Sequence, residues 1–425
     1  MSGELARGSA QMTTRNKHTP VALNLGRYGE SIHQTNFSKY SYEIFRGVFW
    51  SCLCHPLSHS VQMQIQRVYR PSNDALSLLT ARRPPPPNMS IDLKFQPVHA
   101  LTGGAILGVA TVGKLLLSGR ILGISGSFKG TLTEGDLSPW RFAFLGGLVA
   151  SGMLDAAWDP LQIAEPLPDM GRIVLAGLLV GAGTGMGNGC TSGHGICGNS
   201  RFSIRSMAYT GTFMAAGAAV ATMFDTNASL GVNSNHAALS DLVIPATDVL
   251  TKYAGVIAIS SASFLGLNFL SKVFAKKNDD DDSKQHKTLS LLSEALAGLV
   301  FGVGLTISGM RRAAKVSGFL SFLSPSFDPS LMLVMGGAMA MAIPGFQVAG
   351  KKEKPSCERK FNIPNNKKID KKLLTGGVLF GAGWGLAGLC PGPAIVSVAA
   401  RPTAKLVAWL AAVAVGMWGQ HKVVK

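Results

Sequence analysis

The stretch Gly177-Leu-Leu-Val-Gly-Ala-Gly-Thr-Gly-Met-Gly-Asn-Gly-Cys190 returns as Gly377-Val-Leu-Phe-Gly-Ala-Gly-Trp-Gly-Leu-Ala-Gly-Leu-Cys390, at a constant offset of 200 residues. The offset continues past the cysteines, pairing Arg201 with Arg401 and Arg205 with Lys405. Two Gly-rich apolar helices can resemble each other through composition alone. Here the cysteine and both basic positions stay in register, so the likeness reads as an internal repeat. Upstream the match is looser but present: Gly104-Ala-Ile-Leu-Gly108 corresponds to Gly298-Leu-Val-Phe-Gly302, and Ser118-Gly119 to Ser308-Gly309.

Working outward, the 425-residue chain has only 15% charged residues, a mean hydropathy of +0.25 and 50 glycines, many inside apolar runs. That combination fits membrane helices packed backbone to backbone. Lys and Arg number 40 against 23 acids, a net +17, which in a soluble chain would suggest nucleic-acid binding. The basic residues instead collect in the tail and the connecting loops, where membrane orientation accounts for them, so no nucleic-acid partner is expected. The six cysteines, at 52, 54, 190, 197, 357 and 390, form no regular disulfide framework.

Nine apolar segments of spanning or near-spanning length follow Leu101: about 100–124, 141–157, 172–189, 204–224, 249–270, 289–310, 331–349, 373–389 and 403–419. The loop 351–372 carries nine basic residues against three acids, and 271–288 carries five lysines beside Asp279 to Asp282. The loop 226–248 has no Lys or Arg, and 158–170 has only acids. Putting the basic loops in the cytoplasm alternates through every span. Arg311, Arg312, Lys315 and the basic N-terminal tail fall on the wrong side of that scheme. Asn227-Ala228-Ser229 is a glycosylation sequon in a loop placed outside.

Four spans, one linking span and four spans make nine, and an odd linker turns the second copy upside down. The fold expected is an all-α polytopic membrane protein of two inverted repeats, with broken or re-entrant helices meeting at the centre. The chain divides into a tail (1–97), a first repeat (98–248), a linking span and charged loop (249–288) and a second repeat (289–425). The tail is basic, poor in acids and ends in Arg82, Arg83 and Pro84 to Pro87; its apolar patch Ile44 to Leu53 is too short to span. A mitochondrial transit segment, a disordered tail and a true start at Met89 all fit it.

Each repeat carries a Gly-rich helix, a cysteine, a short turn, a second short helix and a basic residue. Alternating glycines (181, 183, 185, 187, 189 and 381, 383, 385) disfavour a continuous helix near its end, at about 1 kcal/mol each. Irregular backbone at membrane depth is tolerated where it lines a cavity or is buried by other helices. Thr191-Ser192-Gly193-His194 and Pro391-Gly392-Pro393 are good helix starts, whose free amides and dipole ends attract an anion. Cys190 and Cys390 add polarizable thiols that hydrogen-bond or exchange sulfur with a sulfur anion. Asn188, Gly189, His194 and Cys197 join them as candidate path residues. Cys190, His194 and Cys197 also suggest three metal ligands, but no fourth is present, and the second repeat has Ala394 and Ser397 there. No metal or cofactor is expected. Arg201 and Arg401 read equally as anion-attracting residues at the pore mouths and as interfacial side chains.

These residues resemble the sulphur transport family of YeeE/YedE type, whose marks are GNGCTSGHGICG and GLCPGP, standing here at Gly187 to Gly198 and Gly388 to Pro393. The resemblance covers about residues 100 to 420. It implies a thiosulfate carrier with an hourglass-shaped helical fold, in which Cys190 and Cys390 are central relay thiols that pass the anion by transient S–H contacts. The family also has an outer cysteine early in the first repeat. This chain has none between Cys54 and Cys190, and Ser118 or Ser125 stands there instead.

The reading is therefore a transporter of a small sulfur anion, thiosulfate first, in the plasma membrane rather than a mitochondrial one. Its expected partners are the anion, the bilayer and a soluble sulfur-carrier protein. The alternative is a membrane-embedded sulfurtransferase or thiol-redox enzyme; within the spans, acid-base partners for it reduce to His194 and Asp155. No nucleotide-binding loop is present.

Overall fold

Helix starts and stops are written locally. Pro97 opens α1 (Pro97–Ser118), and Gly119 closes it at φ +68°, its N–H bonded to the Leu115 carbonyl. The apolar run read as one span over 100–124 is therefore cut at Ser118, because Gly119 takes the left-handed conformation that ends a helix. Its tail becomes the start of a separate short helix, α2 (Ile124–Leu132). Then come α3 (Pro139–Trp158), α4 (Met170–Gly187), a short π-wound helix π1 (Thr191–Gly198) and α5 (Ile204–Met223). After α6 (Thr247–Ala275) the series restarts with α7 (Asp282–Ile307), α8 (Ala313–Leu320), α9 (Ser330–Gly350), α10 (Lys371–Ala387), α11 (Pro391–Ala400) and α12 (Ala404–Val423).

This computed structural model describes residues 91–158, 166–233, 235–275 and 282–423, all within one unit, Asn73–Lys425. The tail before Ile91, with Cys52, Cys54 and Met89, lies outside the described residues, as do Asp279 to Asp281. Among the described residues, six helical stretches are long and apolar enough to cross a membrane: Pro97–Ser118, Met170–Gly187, Thr247–Phe274, His286–Ile307, Ser330–Gly350 and Lys371–Ala400. The architecture is all-helical. Among the described residues, extended backbone is limited to isolated bridges, two of which tie Ile91 to Val232 and Phe95 to Leu242.

Packing repeats as the sequence does. α1 lies on α9 and α7 on α3; α4 lies on α12 and α10 on α5; α1 meets α7, and α4 meets α10. A methyl group on Gly181 would strike the Val413 carbonyl, and one on Gly381 the Phe213 carbonyl, the same contact 200 residues apart. Gly183 sits on the backbone of Gly376 and Phe380, as Gly383 sits on that of Ala176 and Val180. These contacts run α4 and α10 antiparallel. They also explain why the alternating glycines do not unwind the helices: their missing side chains admit the neighbouring backbone. The breaks come just after, where Asn188 (φ +56°) and Gly388 (φ +66°) take left-handed backbone at matching positions.

Two of the basic residues that fell on the wrong side of the loop-charge scheme, Lys315 and Arg311, are partnered inside the protein. The Lys315 ammonium donates to Asp328 at 2.9 Å and to the Lys94 carbonyl at 3.0 Å, and Arg311 pairs with Asp155. A cation neutralised within the fold does not weigh on orientation as a free loop charge does. Asn227 of the sequon is likewise interior, 2% exposed, with its amide donating to Ser326 at 2.8 Å and accepting from Ser317 at 2.6 Å. We expect the protein expressed in a glycosylating host to show no mobility shift on endoglycosidase treatment.

Candidate functional site

Two chain reversals bring the repeated cysteines together. After α4 the backbone turns at Asn188 and enters π1 behind Cys190; after α10 it turns at Gly388 and enters α11 behind Cys390. Both thiols are buried, at 1% and 7% exposure, and interact with each other. The Thr191 hydroxyl lies 3.2 Å from the Cys390 sulfur, and the Ser192 hydroxyl 3.3 Å from the Cys190 sulfur. Ser125, at the start of α2, stands against Cys190. Its hydroxyl is nonetheless buried without a hydrogen-bond partner of normal geometry. None of the four cysteines among the described residues forms a disulfide.

The helix starts differ in what they offer. In π1 the first-turn bond runs from the His194 N–H to the Cys190 carbonyl at 3.0 Å, and in α11 from the Ala394 N–H to the Cys390 carbonyl at 3.0 Å. Ahead of these bonds π1 has three residues with amide hydrogens, Thr191, Ser192 and Gly193. In α11, Pro391 and Pro393 have none, leaving Gly392 alone. The two ends are therefore not equal sources of amide donors, a difference the symmetric sequence reading did not draw.

A cavity of about 430 Å³ reaches this point. Of the residues named from sequence, Cys190, Thr191, Ser192, Cys390 and Gly392 line it. Its remaining wall is apolar and rich in methionine, with Met214, Met310, Met335 and Met339 among the lining residues. Asn199, Thr210 and Trp384 also line it, and the Asn199 Oδ1, Thr210 Oγ1 and Trp384 Nε1 atoms are buried without partners. No Lys, Arg, Asp or Glu lines the cavity.

The other sequence candidates stand around the cysteines rather than in this wall. Asn188 is exposed and accepts from the Lys129 ammonium at 3.0 Å. Gly189 is needed where it is, because a side chain there would meet the His194 ring, and its carbonyl accepts from Tyr209 at 3.2 Å. His194 spans Ser206 and the Gly187 carbonyl, both at 3.0 Å, and packs on Tyr209. The Cys197 thiol donates to the Leu122 carbonyl at 3.3 Å. Cys190, His194 and Cys197 thus face three different partners. Pro391 is buried. Arg201 donates to the Pro364 carbonyl at 2.8 Å, in the basic loop, and Arg401 caps α11 with its N–H bonded to the Ser397 carbonyl.

Against known proteins, residues 61–220 match the family model described as sulphur transport, and residues 289–422 match a family of unknown function (DUF6691). A protein of Xylella fastidiosa (strain 9a5c) named "Probable transporter" is 40% identical over 132 residues, 31% of this chain and 90% of the relative. The chain belongs to the sulphur transport family of YeeE/YedE type. A second relative of that printed name, from Xylella fastidiosa (strain Temecula1 / ATCC 700964), is 44% identical over 125 residues, 29% of this chain and 92% of the relative. Each relative is thus matched nearly whole by less than a third of this family member, which is a multi-pass integral membrane protein.

One cluster escaped the sequence reading. Lys114 of α1 and Glu294 of α7 are both 0% exposed and paired with each other, although Lys114 is the lone Lys, Arg, Asp or Glu of α1 and Glu294 that of the apolar run 289–310. A single charge inside an otherwise apolar span is the signal that would have found them.

Proposed function

We propose that this protein carries thiosulfate across the plasma membrane, the anion passing between Cys190 and Cys390. The observation that carries the reading is the meeting of the two repeat-related thiols, each beside a hydroxyl and each at the start of a short helix, at the end of a cavity. A dianion in a low-dielectric interior needs fixed donors to replace its water. The Thr191, Ser192 and Ser125 hydroxyls and the amides of π1 and Gly392 serve its oxygens. The thiols and the methionine-rich wall suit the soft terminal sulfur. Sulfate has no such end. His194, Gly189 and Asn188 hold the turn in shape, Cys197 anchors the far end of π1, and Arg201 and Arg401 stand beyond the two short helices.

The architecture we infer is nine spans in two inverted repeats, 98–248 and 289–425, joined by the linking span α6 and its charged loop, with an hourglass-like waist at the cysteines. The antiparallel crossing of α4 and α10 with reciprocal contacts supports it, because a two-fold axis exchanging them must run across the helices, in the membrane plane. The near-complete match of short relatives to under a third of the chain supports one repeat as a unit in itself. The soluble partner that fits this chemistry is a sulfur-carrier protein.

The test is uptake by proteoliposomes of the full chain. Labelled thiosulfate should enter at least about tenfold faster than labelled sulfate, equivalent to about 1.4 kcal/mol in the barrier. Equal rates would leave the thiols without a role in selection.

A further inference from the structure

The cavity at Cys190 and Cys390 holds polar groups for which the thiols give no reason. Trp384 of α10 lines it and is 2% exposed, and its Nε1–H has no acceptor. Thr210 of α5 lines it as well, and its buried Oγ1 has no partner. Buried polar groups nearly always find a partner, so two orphans on one cavity wall call for one. An indole N–H only donates, and a hydroxyl can donate, so the partner they share is an acceptor. No Lys, Arg, Asp or Glu lines the wall to supply it.

The two side chains are held in place by packing. The Trp384 ring stacks on Phe380 at 6.1 Å and meets Phe213 edge to face at 5.7 Å. Phe213 follows Thr210 by three residues, on the same face of α5, and lines the same cavity. The Trp384 carbonyl accepts the Gly388 N–H at 2.8 Å, the bond that ends α10 two residues before Cys390. The indole is thus fixed by its neighbours' rings and tied through its own backbone to the turn that presents the thiol. Neither donor is a requirement of the repeat. At the offset of 200, Trp384 corresponds to Thr184, whose hydroxyl is satisfied within its own helix by the Val180 carbonyl at 2.8 Å and the Gly181 carbonyl at 3.0 Å. Thr210 corresponds to Leu410, which is apolar and buried.

We propose that Trp384 and Thr210 form a charge-neutral station on the anion's path, where the indole N–H and the hydroxyl each donate a hydrogen bond to the anion's oxygens before it reaches the thiols or after it leaves them. This rests on the transport reading above and adds to it a binding residue on α10 and one on α5. The oxygens it holds are common to thiosulfate and sulfate. The station therefore sets affinity for tetrahedral oxyanions, and the thiols set the preference among them. The unpartnered atom of Asn199 in the same wall is its Oδ1, an acceptor, which has no part in holding an anion.

The experiment uses the full chain in proteoliposomes. The concentration dependence of labelled thiosulfate exchange gives KM, and unlabelled sulfate added as competitor gives Ki. Trp384→Phe keeps an aromatic ring and Thr210→Val keeps the branched shape, and each removes the donor. Each should raise the thiosulfate KM and the sulfate Ki together by about tenfold, the weight of one hydrogen bond to a charged group, with the maximal rate kept. An unchanged KM in either variant removes that residue from the station, and an unchanged KM in both, as for groups that face water only, overturns it. A fall in maximal rate at unchanged KM is what a structural role would give, and also overturns it. So does a rise in KM without a rise in Ki, or wild-type exchange indifferent to sulfate. Should Trp384→Phe not fold, Thr210→Val carries the kinetic test. Absence of wild-type exchange overturns the transport reading, and the station is then decided in detergent: a saturable change in tryptophan emission on adding thiosulfate, missing in Trp384→Phe, supports it, and no such change overturns it.

Discussion

Serine at both Cys190 and Cys390 should slow thiosulfate passage by about 10- to 100-fold, a barrier increase of roughly 1.4 to 2.7 kcal/mol, while the protein folds and inserts as before. Serine nearly matches cysteine in size, and both thiols already neighbour hydroxyls at 3.2 and 3.3 Å, so the packing has room for another hydroxyl. What is lost is the polarizable partner for the terminal sulfur. The single variants separate two sources of selectivity. Cys390 stands before the helix start with one amide donor, Cys190 before the start with three, so Cys390→Ser should cost more than Cys190→Ser. Thiosulfate and sulfate transport should then converge in the double variant. Undiminished thiosulfate flux through it would assign the passage to hydroxyls and amides alone. Unfolding is checked separately by the melting profile in detergent.

The sequence made the centre of this protein legible because a repeat is a geometric statement. Once Gly181 and Gly381 are in register, their packing against Val413 and Phe213 follows from the same register. The apolar runs came out helical for the ordinary reason that apolar residues in a membrane have few other ways to satisfy their backbone, and six stretches among the described residues are long and apolar enough to span. Boundaries set by one residue were harder. Gly119 ended α1 six residues early, a fate written in its φ of +68° rather than in hydropathy. The cavity wall was not legible at all: Trp384, Thr210 and Met335 come from three different helices, and no local pattern places them together. The setting of Arg201 was out of reach of local pattern for the same reason. It read equally as an anion-attracting and as an interfacial residue, and the carbonyl that accepts from it belongs to a loop more than 150 residues away.

Removing one partner of the Lys114–Glu294 pair should destabilise the protein far more than removing both. Glu294→Leu alone leaves Lys114 charged, fully buried and without its only acid among the described ion pairs, a change that costs about 3–5 kcal/mol for buried pairs. Lys114→Met alone should cost less, because Arg120 still reaches the other Glu294 oxygen at 3.4 Å. The double variant Lys114→Met/Glu294→Leu should melt near the wild type, since apolar side chains of similar volume need no desolvation of charge and fit beside Phe144, which Lys114 already covers at 3.9 Å. The order expected in detergent melting curves is therefore wild type and double variant highest, Lys114→Met between, and Glu294→Leu lowest. A double variant as unstable as Glu294→Leu would show that the pair pins α1 to α7 in a way apolar packing cannot replace. Recovery in the double variant would mean the fold does not require these charges, and a buried ion pair that a membrane protein keeps without needing it for stability is there for what its charges do.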